Sequence, residues 1–333
     1  MTDSHPYSRL TPDVVLNSLE GLGLRCDGRL LALNSYENRV YQVGLEEGGA
    51  VVAKFYRPQR WTDAQILEEH AFAAELAASE IPVVAALAFE GRTLHHAEGF
   101  PIAVFPRRGG RAPELDDAQT LEWLGRFIGR IHAVGRVRPF IHRPRLDIES
   151  FGEEPRAFLL ASGLIPGELL AAWTQAIELA LEGVRHAFAR AGSVDVLRVH
   201  GDCHPSNVLW TPATGNAPGG PHFVDLDDSR MAPAVQDLWM LVSGDRHSMG
   251  QQLGRLLAGY EDFSDFDDRE LHLVEALRTL RLIHYCAWLA RRWDDPAFPI
   301  AFPWFNTPRY WQDRVLELRE QIAAMQEAPL VPG

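Results

Sequence analysis

Val199-His-Gly-Asp-Cys-His-Pro-Ser-Asn-Val-Leu-Trp210, followed downstream by Phe223-Val-Asp-Leu-Asp-Asp228, is the stretch on which the reading of this chain turns. Asp202 precedes Asn207 by five positions, and a second acidic cluster opens at Asp225 after the apolar pair Phe223-Val224. Phosphoryl transfer asks for such a set in this order. A carboxylate must meet the attacking hydroxyl, and oxygen ligands must hold Mg²⁺ on the nucleotide phosphates. A polar surface turn is the plain alternative. A zinc site from His200, Cys203 and His204 is disfavoured, because the spacing is poor and no second Cys/His pair lies nearby.

Working upstream, Val40 to Val43 and Ala50 to Tyr56 read as strands joined by Glu46-Glu-Gly-Gly49, a hairpin signal. Side chains alternate along a strand, so Val52, Lys54 and Tyr56 share one face. The run Val51-Val-Ala-Lys-Phe55 is close to the V-A-I-K pattern of a protein kinase's third strand. In that register Lys54 would hold the nucleotide α- and β-phosphates and Val52 would cover the adenine. Thr62-x-x-Gln65 is a capping box that opens a helix to about Ser79. Of its two adjacent acids, Glu69 lies on the apolar stripe Ile66, Phe72, Ala73 and Leu76, whereas Glu68 shares its face with Glu75. Glu69 is therefore the predicted partner of Lys54, and Glu68 is predicted to point outward. Before these elements, Thr11 to Leu24 reads as a short amphipathic helix and a turn. After Pro82, Val83 to Phe89 and Phe100 to Phe105 read as further strands.

From Asp116 onward the pattern is helical. Leu121, Leu124, Phe127, Ile128 and Ile131 follow helical spacing, with Gly125 and Gly129 permitting close packing; Arg126 and Arg130 favour a soluble core helix over a membrane contact. Leu159 to Ala189 predicts a long helix or a helix pair. Thr211 to Pro221 is a loop between two short strands. Asp237 stands before a predicted apolar helix and is read as structural. Leu273, Leu277, Leu280, Ile283, Ala287 and Ala290 form a helical stripe, followed by aromatics from Trp293 to Trp311 that are read as packing.

The 333 residues, 46% hydrophobic, suffice for one or two domains with a sizeable core. A net charge of -13 without a basic run argues against nucleic acid or an anionic membrane as partner. Three scattered cysteines suggest a reducing compartment. The first residues lack the basic and apolar regions of a signal peptide, and Leu271 to Trp293 is broken by four arginines, so no membrane span is expected. A cytoplasmic protein is expected.

The catalytic stretch resembles the kinase loop H-R-D-x-x-x-x-N and the D-F-G that follows it, with Gly201 for the Arg and Leu226 for the Phe. This variant is similar to the aminoglycoside phosphotransferase-like branch of the kinase superfamily. Asn34-Ser-Tyr-Glu-Asn-Arg-Val-Tyr41, Lys54-Phe-Tyr-Arg-Pro58, Pro233-Ala-Val-Gln-Asp-Leu-Trp-Met240, Arg291-Arg-Trp-x-Asp-Pro-Ala-Phe-Pro299 and Phe302-Pro-Trp304 extend the likeness. Together they resemble the stress response kinase A family, from about Leu10 to Pro329. The resemblance implies an α+β, two-lobed protein-kinase-like fold: a small β-rich lobe with one main helix (residues 1–106) and a larger, mostly helical lobe with the catalytic loop and metal site (residues 107–333). It implies a bacterial, cytoplasmic, monomeric kinase using ATP and Mg²⁺ to phosphorylate protein Ser/Thr hydroxyls, linked to envelope and oxidative stress survival.

Carried over residue by residue, Asp202 matches the proton-accepting Asp, and Asn207 and Asp225 match the Mg²⁺ ligands, Asp225 being counted as catalytic too. Ser35 matches a position that contacts ATP. Phe105 to Arg107 correspond to the segment that binds the adenine edge, through backbone groups. Asp227 or Asp228 is expected to order the metal site from behind. Asn34 to Arg39 stands where many kinases have G-x-G-x-x-G, without a glycine. Side chains such as Ser35, Asn38 or Arg39 are candidates to replace the backbone amides there. Two alternatives remain at the level of sequence: a kinase of small alcohols such as choline, homoserine or an aminoglycoside, since the acceptor site is not legible in the catalytic motif, and a non-enzymatic nucleotide-binding protein.

Overall fold

The computed structural model describes residues 5–215 and 219–333. In chain order the elements are α1 (Pro12–Glu20), β1 (Cys26–Ala32), β2 (Arg39–Leu45), β3 (Ala50–Phe55), α2 (Asp63–Ala78), β4 (His95–Ala97), β5 (Phe100–Pro106) and α3 (Ala118–Gly135). Then come α4 (Glu154–Ala161), α5 (Gly167–Ala191), β6 (Leu197–Val199), β7 (Val208–Thr211), β8 (Gly220–Phe223) and β9 (Arg230–Ala232). Helices α6 (Arg246–Tyr260), α7 (Val274–Arg291), α8 (Ala297–Ala301) and α9 (Pro308–Ala324) complete the chain. The fold class is α+β. Two compact units form, and neither is one continuous stretch. The first holds the chain up to Pro113 with Ile141–Arg143 and Pro205–Asp228; the second holds Glu114–Phe140, Pro144–His204 and Ser229–Gly333.

The first unit is built on an antiparallel sheet in the order β1-β2-β3-β5-β4. Gly48 and Gly49 close the β2–β3 hairpin at φ +90° and +80°, a conformation that a Cβ would strain. Val43, Val51, Ala53, Phe55, Ile102 and Val104 bury one sheet face against Val15 and Leu19 of α1. The register sets Val40 beside Lys54 and Val52 beside Phe105, so these side chains share the opposite face. Helix α2 covers part of that face with Ile66, and its capping box forms as the sequence predicts.

Val83 to Phe89 is not a strand of this sheet. Val83 forms a single parallel bridge to Phe223, with the Val84 N–H donating to the Phe223 carbonyl at 3.0 Å. The apolar run reflects burial beside β8 and β5 rather than strand pairing. Strands β1 and β4, which lack a clean alternation of apolar residues, escape sequence reading. In the loop joining β7 and β8, residues 216–218 lie outside the described residues, as do residues 1–4 at the start of the chain.

The second unit is helical apart from the antiparallel β6–β9 pair. Gly125 and Gly129 pack α3 on α6, as their spacing suggested. A Cβ at Gly125 would stand 1.9 Å from the Leu256 carbonyl oxygen, and one at Gly259 2.0 Å from that of Glu122. The expected apolar α-helix after Asp237 does not form; Asp237 ends one short 3₁₀ turn, Ala234–Asp237, and a second, Trp239–Leu241, follows it. The stretch Leu159 to Ala189, read as a long helix or a helix pair, holds the end of α4 and most of α5, with a break at Gly163; α4 begins earlier, at Glu154. Aromatics between Trp293 and Trp311 pack on one another, Trp293 on Phe305 at 4.8 Å and Tyr310 on Trp311 at 5.2 Å between centroids. Among the described residues no helix is long and apolar enough to cross a membrane.

Candidate active site

A cleft with about 1090 Å³ of empty space, part of it open to solvent, lies within the first unit. Its walls are largely apolar: Val40, Val52 and Phe105 from the sheet, Val84, Leu209 and Leu226 from the segments beside it. Ser35, Lys54, Glu69, Asn207 and Asp225 supply its polar groups. An apolar cleft with a few convergent polar groups is the usual form of a small-molecule site. Residues 153 positions apart in sequence, Lys54 and Asn207, thus line one cleft. Of the segment expected to bind an adenine edge, Phe105 lines the cleft and Arg107 does not; the Arg107 Nε donates to Gln42 Oε1 at 3.1 Å, and Arg108 takes a place in the wall.

Lys54 is buried on β3, and its ammonium donates to Asp225 Oδ1 at 2.9 Å and lies 3.1 Å from Asp227 Oδ1. Burial alone would lower its pKa, but Asp225 and Asp227 outweigh this and hold it well above the usual lysine range. The expected Lys54–Glu69 ion pair is therefore not the one formed. Glu69 is buried, as its apolar stripe implied, with Oε2 lacking a hydrogen-bond partner. Burial pushes its carboxyl up to about 7, against the opposing effect of Lys54.

Asp225 adopts a left-handed backbone, φ +58°. For a residue other than glycine this costs on the order of 1–3 kcal/mol, although Asp tolerates it better than most. Strain there turns the carboxylate, about half exposed, into the cleft. Asp227 occupies the opposite situation. Its buried carboxylate meets Arg60 at 2.5 Å, Lys54 at 3.1 Å and the Asn38 amide at 3.2 Å, while the Arg143 guanidinium donates to its backbone carbonyl. Burial would raise its pKa; Lys54 and Arg60 outweigh it and hold the group at about 2. Arg60 also bonds Asp228 at 2.9 Å.

Within the Asn34–Arg39 segment, Ser35 lines the cleft. Asn38 is committed to structure: its amide donates to Asp227 and its Oδ1 accepts from the Arg57 N–H at 3.1 Å. Arg39 lies over the Tyr7 ring at 4.3 Å and donates to the Tyr36 carbonyl at 3.0 Å. Glu68, predicted to point outward, instead clamps a distant loop. Its carboxylate accepts the N–H groups of Ile141, His142 and Arg143 at 2.5, 2.9 and 2.8 Å. Burial works against that charge, but the three N–H groups prevail and lower its pKa.

Asp202 belongs to the second unit, on the loop after β6. Its carboxylate pairs with Arg281 of α7 through Oδ1 and lies 3.4 Å from His204 Nε2 through Oδ2. Asp237, read as structural, holds this loop by its backbone: the His200 and Gly201 N–H groups donate to its buried carboxylate at 2.7 and 2.8 Å. His132 Nε2 donates to the same carboxylate at 3.0 Å, and its Nδ1 is hydrogen-bonded to the Tyr260 hydroxyl at 3.0 Å. The Gln236 amide donates to the Gly201 carbonyl at 3.0 Å.

The signature of the phosphotransferase enzyme family matches residues 29–274. Stress response kinase A of Escherichia coli (strain K12) is 46% identical over 324 residues, spanning 97% of this chain and 96% of its own. The chain belongs to this family. The serine/threonine protein kinase RdoA of Salmonella typhimurium is 44% identical over the same shares of both chains. Among solved structures, an amicoumacin kinase superposes with a TM-score of 0.70 at 18% identity, covering 96% of this chain and 95% of its own. A microcompartment-associated aminopropanol kinase superposes with a TM-score of 0.69 at 19% identity, covering 94% and 96%. The two structural likenesses speak to fold alone.

Arg60, Arg143, His132 and Arg281 escape sequence reading. Arg60 meets Asp227 across 167 positions and Arg281 meets Asp202 across 79. No local pattern marks such pairs, since an arginine that folding buries looks like any other in sequence.

Proposed function

We propose that this kinase-family enzyme transfers the γ-phosphate of ATP to Ser/Thr hydroxyls of proteins. The observation that carries the reading is the Lys54 ammonium 2.9 Å from Asp225 in a cleft that Ser35 and Asn207 also line. The apolar walls suit a purine, with Val52 and Phe105 side by side on β3 and β5. Lys54 would turn from Asp225 toward the α- and β-phosphates as nucleotide enters. Glu69 would then be the nearby acid that keeps the lysine in place, and Ser35 would donate to a phosphate oxygen.

The donor set fits Mg²⁺. Asn207 and Asp225 offer an amide oxygen and a half-exposed carboxylate, hard ligands too few to cage an ion alone, as expected where phosphates and water complete the shell. Bound there, the ion would neutralise charge on the transferring group. Asp202 would orient the acceptor hydroxyl and take its proton late, because a carboxylate is a weak base toward an alcohol. Asp237 would keep the Asp202 loop in position. The free state of all three cysteines agrees with a cytoplasmic setting, where the enzyme would act as a monomer.

The test is γ-labelled ATP transfer by wild type and Asp202→Ala, with Mg²⁺, protein acceptors and a panel of small alcohols. Asp202→Ala is expected to reduce kcat by roughly 10²–10⁴-fold with nucleotide affinity unchanged. Label found only on a small alcohol would replace the protein acceptor by that compound. Undiminished transfer by the variant would refute the role of Asp202.

A further inference from the structure

We propose that Arg281 is a positioning and specificity residue: it holds the Asp202 carboxylate and restricts the acceptor to hydroxyls in neutral or acidic peptide segments. The proposal rests on the reading of Asp202 as the base. Both residues belong to the second unit.

The Arg281 guanidinium binds Asp202 Oδ1 while His204 approaches Oδ2, so each carboxylate oxygen has a basic neighbour. The Asp202 side chain is 21% exposed and that of Arg281 is 41% exposed. Arg281 is thus neither filling a core nor reaching freely into water. An orienting cation fixes which carboxylate face meets an acceptor, and its fork geometry makes Arg better at this than Lys.

Beyond Arg281, the charged side chains of α7 carry the same sign as far as Arg292, before Asp294 and Asp295. Arg281, Tyr285, Trp288 and Arg292 recur along one face of α7 and its end. No Asp or Glu occurs from 281 to 292. Tyr285 and Trp288 stack at 5.5 Å and 16°, and the Arg292 guanidinium lies 5.3 Å from the centre of the Trp288 ring. An aromatic face that could have received an ammonium group is therefore already in contact with a protein cation. In an amino alcohol the amine stands only a few bonds from the hydroxyl. With that hydroxyl on Asp202, the ammonium would lie close to the Arg281 charge and be repelled. A peptide Ser or Thr brings no such charge, and an acidic flank would be drawn to Arg281 and Arg292.

The test compares wild type, Arg281→Gln and Arg281→Lys on Ser peptides with acidic, neutral or basic flanks, and on ethanolamine, aminopropanol and choline. Nucleotide affinity is measured alongside, and Asp202→Ala is the control for the underlying reading. Wild type is expected to favour acidic over basic flanks by at least about tenfold in kcat/KM, a difference of about 1.4 kcal/mol. Arg281→Gln should collapse that preference mainly through KM and move the acid limb of the pH profile upward, with Arg281→Lys restoring part of both. Nucleotide affinity should not change. Equal use of acidic and basic flanks by wild type, preferred use of amino alcohols, or an unchanged preference in Arg281→Gln would each overturn the proposal. If Asp202→Ala transfers phosphate normally, the base assignment fails as well, which separates that failure from one confined to Arg281.

Discussion

Asp237→Ala tests how the catalytic loop is held. The native carboxylate, 1% exposed, accepts from two successive loop N–H groups and from His132. Alanine would leave the His200 and Gly201 N–H groups and one imidazole nitrogen without that acceptor. A buried donor left unpaired costs about 1–3 kcal/mol, so three of them cost about 3–6 kcal/mol after partial relaxation. At a urea slope of about 3 kcal/mol/M the midpoint should fall by about 1–2 M. Hydrogen exchange should accelerate at Gly201, whose N–H donates to this carboxylate. Kcat should fall because Asp202 adjoins the released segment, while nucleotide affinity stays near wild type. A midpoint within about 0.3 M of wild type, with slow exchange retained at Gly201, would refute the reasoning.

Three further outcomes follow from the same geometry. Asp227 has its pKa lowered to about 2, so it contributes stability above the ordinary Asp range that is lost as pH falls through 2. Asp227→Asn should therefore cost about 2 kcal/mol or more at pH 7, with the gap to wild type closing below about pH 3–4 in denaturant titrations. Glu69 has its carboxyl raised to about 7, so its contribution is fully present below the ordinary Glu range and fades as pH rises through 7. Comparing wild type with Glu69→Gln at acid and neutral pH should reveal a relative gain for the variant of up to about 3 kcal/mol at pH 7; no pH dependence in that difference would contradict the buried, strained carboxylate. Gly259→Ala would force a Cβ 2.0 Å from the Glu122 carbonyl oxygen, and calorimetry should show a loss of at least 1–3 kcal/mol as α3 and α6 separate.

The apolar alternation around Lys54, the capping box at Thr62 and the spacing of Asp202, Asn207 and Asp225 are local signals. They follow from strand period, helix capping and motif spacing, and they sufficed to place β3, α2 and the polar groups of the site in the sequence. The choice of Glu69 over Glu68 as the buried acid also followed from helical periodicity. Its partner did not, because an ion pair depends on distances between elements: Lys54 lies nearer Asp225 and Asp227 than the acid on the adjacent helix. Val83 to Phe89 misled for a related reason, since an apolar run records burial and cannot say whether neighbouring backbone is available to pair. Glu68 seemed free because its backbone partners, Ile141 to Arg143, come more than 70 positions later.

What the sequence determined by itself is the chemistry: which carboxylates, amide and lysine are present, and in what order. What only the tertiary structure decided is which charges meet. Arg60 with Asp227, Arg281 with Asp202 and Asp237 with the loop amides join segments 36 to 167 positions apart. Those pairings depend on the packing of whole helices and strands, which brings together charges that no local spacing connects.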